Sequence, residues 1–127
     1  MKNITVAVIE DDSITLELIT QGLEQQLSAT VYAFSRSKAA REFLLKQTAG
    51  TLDVVISDQR MPEYDGLSLL QACRSAHINI PFILLTADTT RETVMRAKEL
   101  GATHFLAKPF VVEDVVNKVV AIAAKGE

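Results

Sequence analysis

Hydrophobic positions along this chain fall into two kinds of run. Short, continuous apolar stretches rich in β-branched residues recur at Ile4–Ile9, Thr30–Phe34, Val54–Ser57, Phe82–Thr86 and Thr103–Ala107. Runs of that length and composition predict strands, and the third and fourth of them strands buried on both faces, as in a parallel sheet. Between them, apolar residues keep a helical spacing: Leu16, Ile19, Leu23 and Leu27; Ala40, Phe43 and Leu44; Leu67, Leu69, Leu70 and Cys73; Val94, Ala97 and Leu100. A last helix is predicted from about Val111 to Ala124. Asp12 or Ser13 is placed to cap the first helix, and Thr89 or Thr90 to start the fourth. Ser35 or Ser37 opens the second, which is predicted to run to about Gln47. Gly50 and Pro81 interrupt the chain before the third and fourth strands, and Gly101 stops the fourth helix as a left-handed terminus would. Strands and helices alternating five times predict an α/β protein with a doubly wound, five-stranded parallel sheet.

Composition narrows the function classes. The chain of 127 residues suits one domain, residues 1–127, with no linker, repeat or low-complexity segment. With 48% hydrophobic and 23% charged residues it has the balance of an ordinary soluble globular protein. A net charge of -3 offers no basic stripe for direct nucleic-acid contact. No apolar run approaches the roughly 18 residues of a membrane span, and Met1-Lys2-Asn3 lacks the build of a signal peptide. The single cysteine, Cys73, has no partner for an internal disulfide and reads as a small core residue. A cytoplasmic domain with no membrane contact is the expectation.

The candidate chemistry stands at the strand ends, where open α/β sheets bind their ligands. The first strand delivers Glu10, Asp11 and Asp12; the third, Asp58; the fourth, Thr86; the fifth, Lys108. With the first strand central, strands one, three, four and five are successive neighbours, and their ends share one crevice. Two carboxylates about 5 Å apart repel by roughly 3 kcal/mol at an effective dielectric of 20. One lysine does not neutralise three of them, so a divalent cation is the natural complement. All-oxygen ligands without a His/Cys cluster favour magnesium over zinc. A carboxylate facing magnesium, a lysine and a hydroxyl makes a phosphoryl-acceptor site, with Asp58 as the nucleophile on phosphorus. The metal and Lys108 would neutralise charge on the transferring group, and Thr86 would offer its hydroxyl to a phosphoryl oxygen. Asp12 also reads simply as a helix cap, while His77 and His104 fall away from the crevice.

Glu10-Asp11, Asp58-x-x-Met61-Pro62-x-x-Asp65-Gly66, Thr86-Ala87, Gly101-Ala102 and Phe105-Leu106-Ala107-Lys108-Pro109-Phe110 together resemble the receiver domain of bacterial two-component response regulators, the CheY-like family. The likeness covers nearly the whole chain and all five strand ends. It implies a flavodoxin-like three-layer sandwich with strand order 2-1-3-4-5. It implies that Asp58 takes a phosphoryl group from a phosphohistidine on a sensor histidine kinase or a histidine phosphotransfer protein. Magnesium would then be held directly by Asp11 and Asp58, by the main-chain carbonyl of Arg60, and through water by Glu10. The Lys108-Pro109 bond is expected to be cis. Thr86 and Phe105 become the switch residues. Phe105 lacks the hydroxyl of the more familiar tyrosine, so it is expected to favour an inward rotamer even without phosphorylation.

Arg60 and Asp88 stand two residues beyond Asp58 and Thr86, positions that in the resembling family influence phosphoryl lifetime. Their opposite charges predict either a pair lying over the site or two independently solvated side chains. The last helix carries Val111, Val112, Val115, Val116, Val119, Val120 and Ile122, an arc wider than one sheet face requires. Either a few valines face solvent, or this surface docks a downstream partner, an output domain or a second copy. The function expected is a phosphorylation-activated signalling switch, with self-catalysed phosphoryl acceptance and loss rather than enzymatic turnover. The alternative is a magnesium-dependent small-molecule phosphohydrolase. Such an enzyme wants an acid two residues after its nucleophile, where this chain has Arg60. A flavodoxin-like cofactor binder wants a Gly/Ser/Thr cradle after the first strand, where Glu10-Asp11-Asp12 would repel a phosphate.

Overall fold

Five short strands form the spine of the computed structural model, which describes residues 3–125: β1 (Thr5–Ile9), β2 (Thr30–Phe34), β3 (Val54–Asp58), β4 (Phe82–Thr86) and β5 (His104–Ala107). Each is followed by a helix: α1 (Ser13–Leu27), α2 (Ser37–Leu44), α3 (Gly66–Ser75), α4 (Arg91–Glu99) and α5 (Val112–Lys125). The strands pair parallel in the order β2-β1-β3-β4-β5. The chain therefore winds outward in both directions from β1 and β3, and the crevice at that switch point lies beyond their carboxyl ends. Alternate side chains of each strand feed opposite faces. Ala7, Ile9, Val55, Phe82 and Leu84 pack with Ala40, Leu44, Leu67, Leu70 and Ala97, beneath α2, α3 and α4. Val6, Val8, Val54, Ile56, Ile83 and Leu85 pack with Ile19, Leu23, Val115 and Val119, beneath α1 and α5. Cys73 is buried within the first of these cores.

Two glycines let backbones approach closely. A Cβ on Gly22 of α1 would collide with Val112 at the start of α5. A Cβ on Gly66 would sit 2.6 Å from the carbonyl oxygen of Asp58 and 2.6 Å from Leu84 Cδ1, so α3 begins directly against the strand that carries Asp58.

The caps show which of the sequence alternatives the chain uses. Asp12 caps α1, its carboxylate accepting from the Ile14 amide at 3.4 Å and the Thr15 hydroxyl at 2.6 Å. Asp65 caps α3 through the Ser68 amide at 2.8 Å, and Thr90 caps α4 through the Thr93 amide at 3.4 Å. Gly101 closes α4 at φ 89°. Neither serine caps α2: Arg36 occupies the cap position without a side-chain bond, because Ser37 is bonded elsewhere. That helix also stops at Leu44 rather than near Gln47, its last turn tightened by Lys46 N–H to Phe43 O and Gln47 N–H to Leu44 O. Thr103 lies just ahead of β5 instead of opening it, exchanging bonds with Phe82 through its amide and its hydroxyl. On α5, Val115, Val116, Val119 and Ile122 are buried, whereas Val111, just before the helix, and Val120 are 61% and 44% exposed. The valine arc is thus a buried stripe with two solvent-side members. Among the described residues no helix is long and apolar enough to cross a membrane.

Candidate functional site

The strand-end side chains converge as the order of the sheet requires. Asp58, the last residue of β3, is buried, and its Oδ1 accepts from Lys108 Nζ at 2.8 Å and from the Gln59 amide at 3.0 Å. Glu10, just past β1, is 1% exposed. Its Oε1 accepts from the Asp12 amide at 3.1 Å, while Oε2 has no hydrogen-bond partner and lies 3.6 Å from Lys108 Nζ. Asp11 is exposed at the mouth. Ligand oxygens of Glu10, Asp11 and Asp58 lie within 4.8 Å of one another. Lys108 follows β5, precedes the cis bond to Pro109, and is tied to β4 by its amide's bond to Thr86 O at 2.8 Å. Thr86 is buried at the end of β4, and its hydroxyl accepts from the Asp88 amide at 2.9 Å.

Charge and burial oppose each other here. Burial pushes the Glu10 carboxyl up to about 7; the Asp12 amide and Lys108 pull it down, and the Asp58 charge pushes it further up. Burial works against the Lys108 ammonium, yet its hydrogen bond to Asp58 and the charges of Asp58 and Glu10 raise it on balance. The Thr15 hydroxyl holds Asp12, which serves the helix cap, below the usual carboxylate range. Three hard oxygen donors within reach of one point, one of them a buried orphan, suit a small divalent cation such as magnesium.

The loop between β3 and α3 forms one wall of the site. Asp11, Gln59, Arg60, Met61, Pro62, Asp65 and Asp88 line a shallow depression of about 550 Å³ beside the acidic cluster. Within the loop, Gln59 Oε1 accepts from the Leu67 amide at 2.9 Å and Gln59 O from the Gly66 amide at 3.0 Å. Ser37 fastens it from outside, its buried hydroxyl donating to Pro62 O at 2.6 Å and accepting from the Tyr64 amide at 3.0 Å. Arg41 lies over the Tyr64 ring at 5.2 Å. Ser37→Ala leaves both loop groups without their partner. We expect it to lower stability by about 1–3 kcal/mol and to weaken magnesium binding measured by calorimetry. Neither the Ser37 tether nor Gln59's role is visible in the sequence: the first joins residues 25 and 27 apart, and the second depends on how the loop folds back on itself.

Of the two arrangements open to Arg60 and Asp88, the pair is not the one found. Asp88 Oδ1 accepts from the amide and hydroxyl of Thr90 at 3.1 and 2.8 Å, and Oδ2 from the Thr93 hydroxyl at 2.8 Å. Those bonds hold its carboxyl below the usual range, Thr93 foremost, and Arg60 contributes only a weak Coulombic pull. Nearby hydroxyl donors satisfy the carboxylate without the entropy cost of ordering an arginine. Phe105 is half-buried and packs against the α2/α3/α4 core. His77, exposed at φ 60°, ends the α3 turn, and His104 opens β5 at the amino end of the strand, away from the crevice.

A family model described as the response regulator receiver domain matches residues 6–120. The transcriptional regulatory protein QseB of Haemophilus influenzae is 31% identical over 117 residues, covering 92% of this chain and 51% of that protein. The DNA-binding transcriptional regulator NtrC of Klebsiella pneumoniae is 32% identical over 111 residues, covering 87% of this chain and 23% of that protein. The chain thus spans about half or less of these curated relatives. Among solved structures, the receiver domain of Francisella response regulator 1452 superposes with a TM-score of 0.89 at 26% identity, covering 98% of this chain and 100% of that one. The chemotaxis response regulator CheY4 of Vibrio cholerae superposes with a TM-score of 0.82 at 26% identity, covering 95% and 99%. A parallel sheet ordered 2-1-3-4-5 whose strand ends gather an acidic cluster, a threonine and a lysine agrees with both comparisons, and the chain belongs to the response regulator receiver domain family.

Proposed function

We propose that this receiver domain accepts a phosphoryl group on Asp58 from a phosphohistidine and passes the change to a downstream protein or output domain. The single observation that carries the reading is Lys108 Nζ at 2.8 Å from Asp58 Oδ1, inside a cluster of three carboxylates. A carboxylate oxygen of Asp58 attacks phosphorus, and an O–P bond forms as the P–N bond to the donor imidazole breaks. The electron pair leaves on the imidazole nitrogen, which is then protonated. Lys108 is placed to follow the charge onto the phosphoryl oxygens, and Thr86 to donate its hydroxyl to one of them. Magnesium held by Glu10, Asp11 and Asp58, with the Arg60 carbonyl as a further ligand, would supply the remaining charge neutralisation. Loss of the phosphoryl group returns it to water and restores the Asp58 carboxylate.

Thr86, Phe105 and α4 form the switch in this reading, with Arg60 and Asp88 beside the entry path of water. Donors are sensor histidine kinases or histidine phosphotransfer proteins. The length and names of QseB and NtrC support an output function carried outside this domain. A second copy is a further candidate partner for the surface of α4, β5 and α5, where Met95, Val111 and Val120 are exposed. The phosphohydrolase alternative gains nothing from the family match, and Arg60 stands where its second acid would be needed. Incubation with acetyl phosphate and magnesium tests the proposal. Mass spectrometry should find one phosphoryl group, labile to hydroxylamine, on the peptide containing Asp58. A stable adduct on a hydroxyl, or no adduct at all, would overturn it.

A further inference from the structure

We propose that Asp88 is a positioning residue that ties the Thr86 hydroxyl to the first turn of α4, so that movement of one is movement of the other. The inference rests on the phosphoacceptor reading of Asp58 and names the residue, two along the chain from Thr86, through which that reading reaches the helix. Three observations place Asp88 in this role. Its amide donates to Thr86 Oγ1 at 2.9 Å. Its Oδ1 accepts from the amide and hydroxyl of Thr90 at 3.1 and 2.8 Å. Its Oδ2 accepts from the Thr93 hydroxyl at 2.8 Å, five residues on and within α4.

The direction of the first bond has a chemical consequence. Thr86 Oγ1 is held as an acceptor, and among the described residues its proton goes to no acceptor, so it is left for an incoming oxygen. Asp88 thereby occupies the hydroxyl as an acceptor and leaves its proton free to be donated. The second and third bonds exceed what helix capping requires. Thr90 already caps α4 through the Thr93 amide, so the hydroxyl–carboxylate bond between Thr93 and Asp88 satisfies no backbone group of the helix. It fixes the Asp88 side chain to α4, and through it the peptide that holds Thr86. Drawing the Thr86 hydroxyl toward a phosphoryl oxygen either pulls that peptide and the α4 turn with it or breaks the 2.9 Å bond. Coupling of this kind is reciprocal: a partner that holds α4 in place also holds Thr86.

The test uses beryllofluoride with magnesium as the phosphoryl mimic, fluorine NMR to show that it is bound, and amide hydrogen exchange across Arg91–Glu99 to read α4. In the wild-type chain, binding should change exchange in the first turn of α4. Thr93→Val keeps the shape of the side chain and the Thr90 cap; it should bind beryllofluoride within about twofold of wild type while the exchange difference falls at least fivefold. Thr93→Ser, which restores the hydroxyl, should recover it. Asp88→Ala, read at saturating mimic whatever its own affinity, should lose the exchange difference as Thr93→Val does, and gives the same reading should the valine variant fold poorly. A full-sized exchange difference in Thr93→Val and Asp88→Ala with the mimic bound overturns the coupling. Wild-type binding with no response in α4 overturns it too, but leaves the phosphoacceptor reading standing. Absence of binding in the wild type overturns both.

Discussion

Asp58→Asn should leave a folded protein whose labelling by acetyl phosphate and magnesium drops at least ~100-fold, because the amide oxygen is no longer an anionic nucleophile. The substitution is close to isosteric. An amide oxygen can still accept from Lys108 and from the Gln59 amide, the two bonds that Asp58 Oδ1 now makes at 2.8 and 3.0 Å. Two electrostatic changes offset each other. Repulsion between Asp58 and Glu10 disappears, and so does the attraction between Asp58 and Lys108. Metal-free stability should therefore stay within about 1 kcal/mol of wild type, since the two Coulomb terms are of similar size at an effective dielectric near 20. Magnesium affinity should fall, because one of three clustered carboxylates has become neutral. Autoradiography with a urea melt on the same preparation separates these effects. Undiminished label in a stable Asp58→Asn protein would place the nucleophile elsewhere.

The second large effect is expected from Lys108→Met with magnesium chelated. Lys108 is the cation facing both buried carboxylates, at 2.8 Å from Asp58 and 3.6 Å from Glu10. Removing one partner of a buried ion pair costs about 3–5 kcal/mol, and partial exposure of the lysine brings the expectation at pH 8 down to about 2–3 kcal/mol. The loss should shrink on acidification, and the sign follows from Glu10. Burial raises its folded-state value to about 7 from the ordinary 4.5. Between those values the folded protein keeps a proton that the unfolded chain has released. The stability Glu10 contributes is therefore fully present below pH 4.5 and is lost as pH rises through about 7. At 1.36 kcal/mol per pH unit, that window corresponds to about 3 kcal/mol at most. Urea melts in EDTA should show wild type weakening from pH 5 to pH 8, Lys108→Met weakening more steeply, and magnesium restoring wild type at pH 8 by binding the folded state. A flat profile in EDTA would mean that Glu10 carries no raised proton affinity in the folded chain.

Legibility in the sequence follows the range of the forces involved. The central strands β3 and β4 are legible because a strand covered on both faces by helices must be apolar throughout, and Val54-Val55-Ile56 and Phe82-Ile83-Leu84-Leu85 announce that locally. Asp12 and Gly101 were readable as a cap and a stop for the same reason: their partners lie within a helical turn. Ser37 opens α2, but its hydroxyl serves a loop 25 and 27 residues away, a use that only packing decides. For Asp88 the sequence leaves open a pair with Arg60 or free solvation, because the reach of the two threonine hydroxyls is set only once α4 is folded. At bonding distance, hydroxyls already in place are better partners than a guanidinium that must be ordered. The half-burial of Phe105 is decided by the α2/α3/α4 core against which it packs, which no local pattern announces.

The amino-acid order by itself determined the kind and succession of the ten elements and the residue types carried to the ends of the strands. Burial of apolar surface is non-directional, so a periodic pattern is enough to specify which faces go inside. The tertiary structure alone decided the partner of each polar group: Lys108 with Asp58, Ser37 with the loop beyond β3, Asp88 with Thr90 and Thr93. Hydrogen bonds and ion pairs are short and directional, and they form between whichever groups the packed elements bring within about 3 Å.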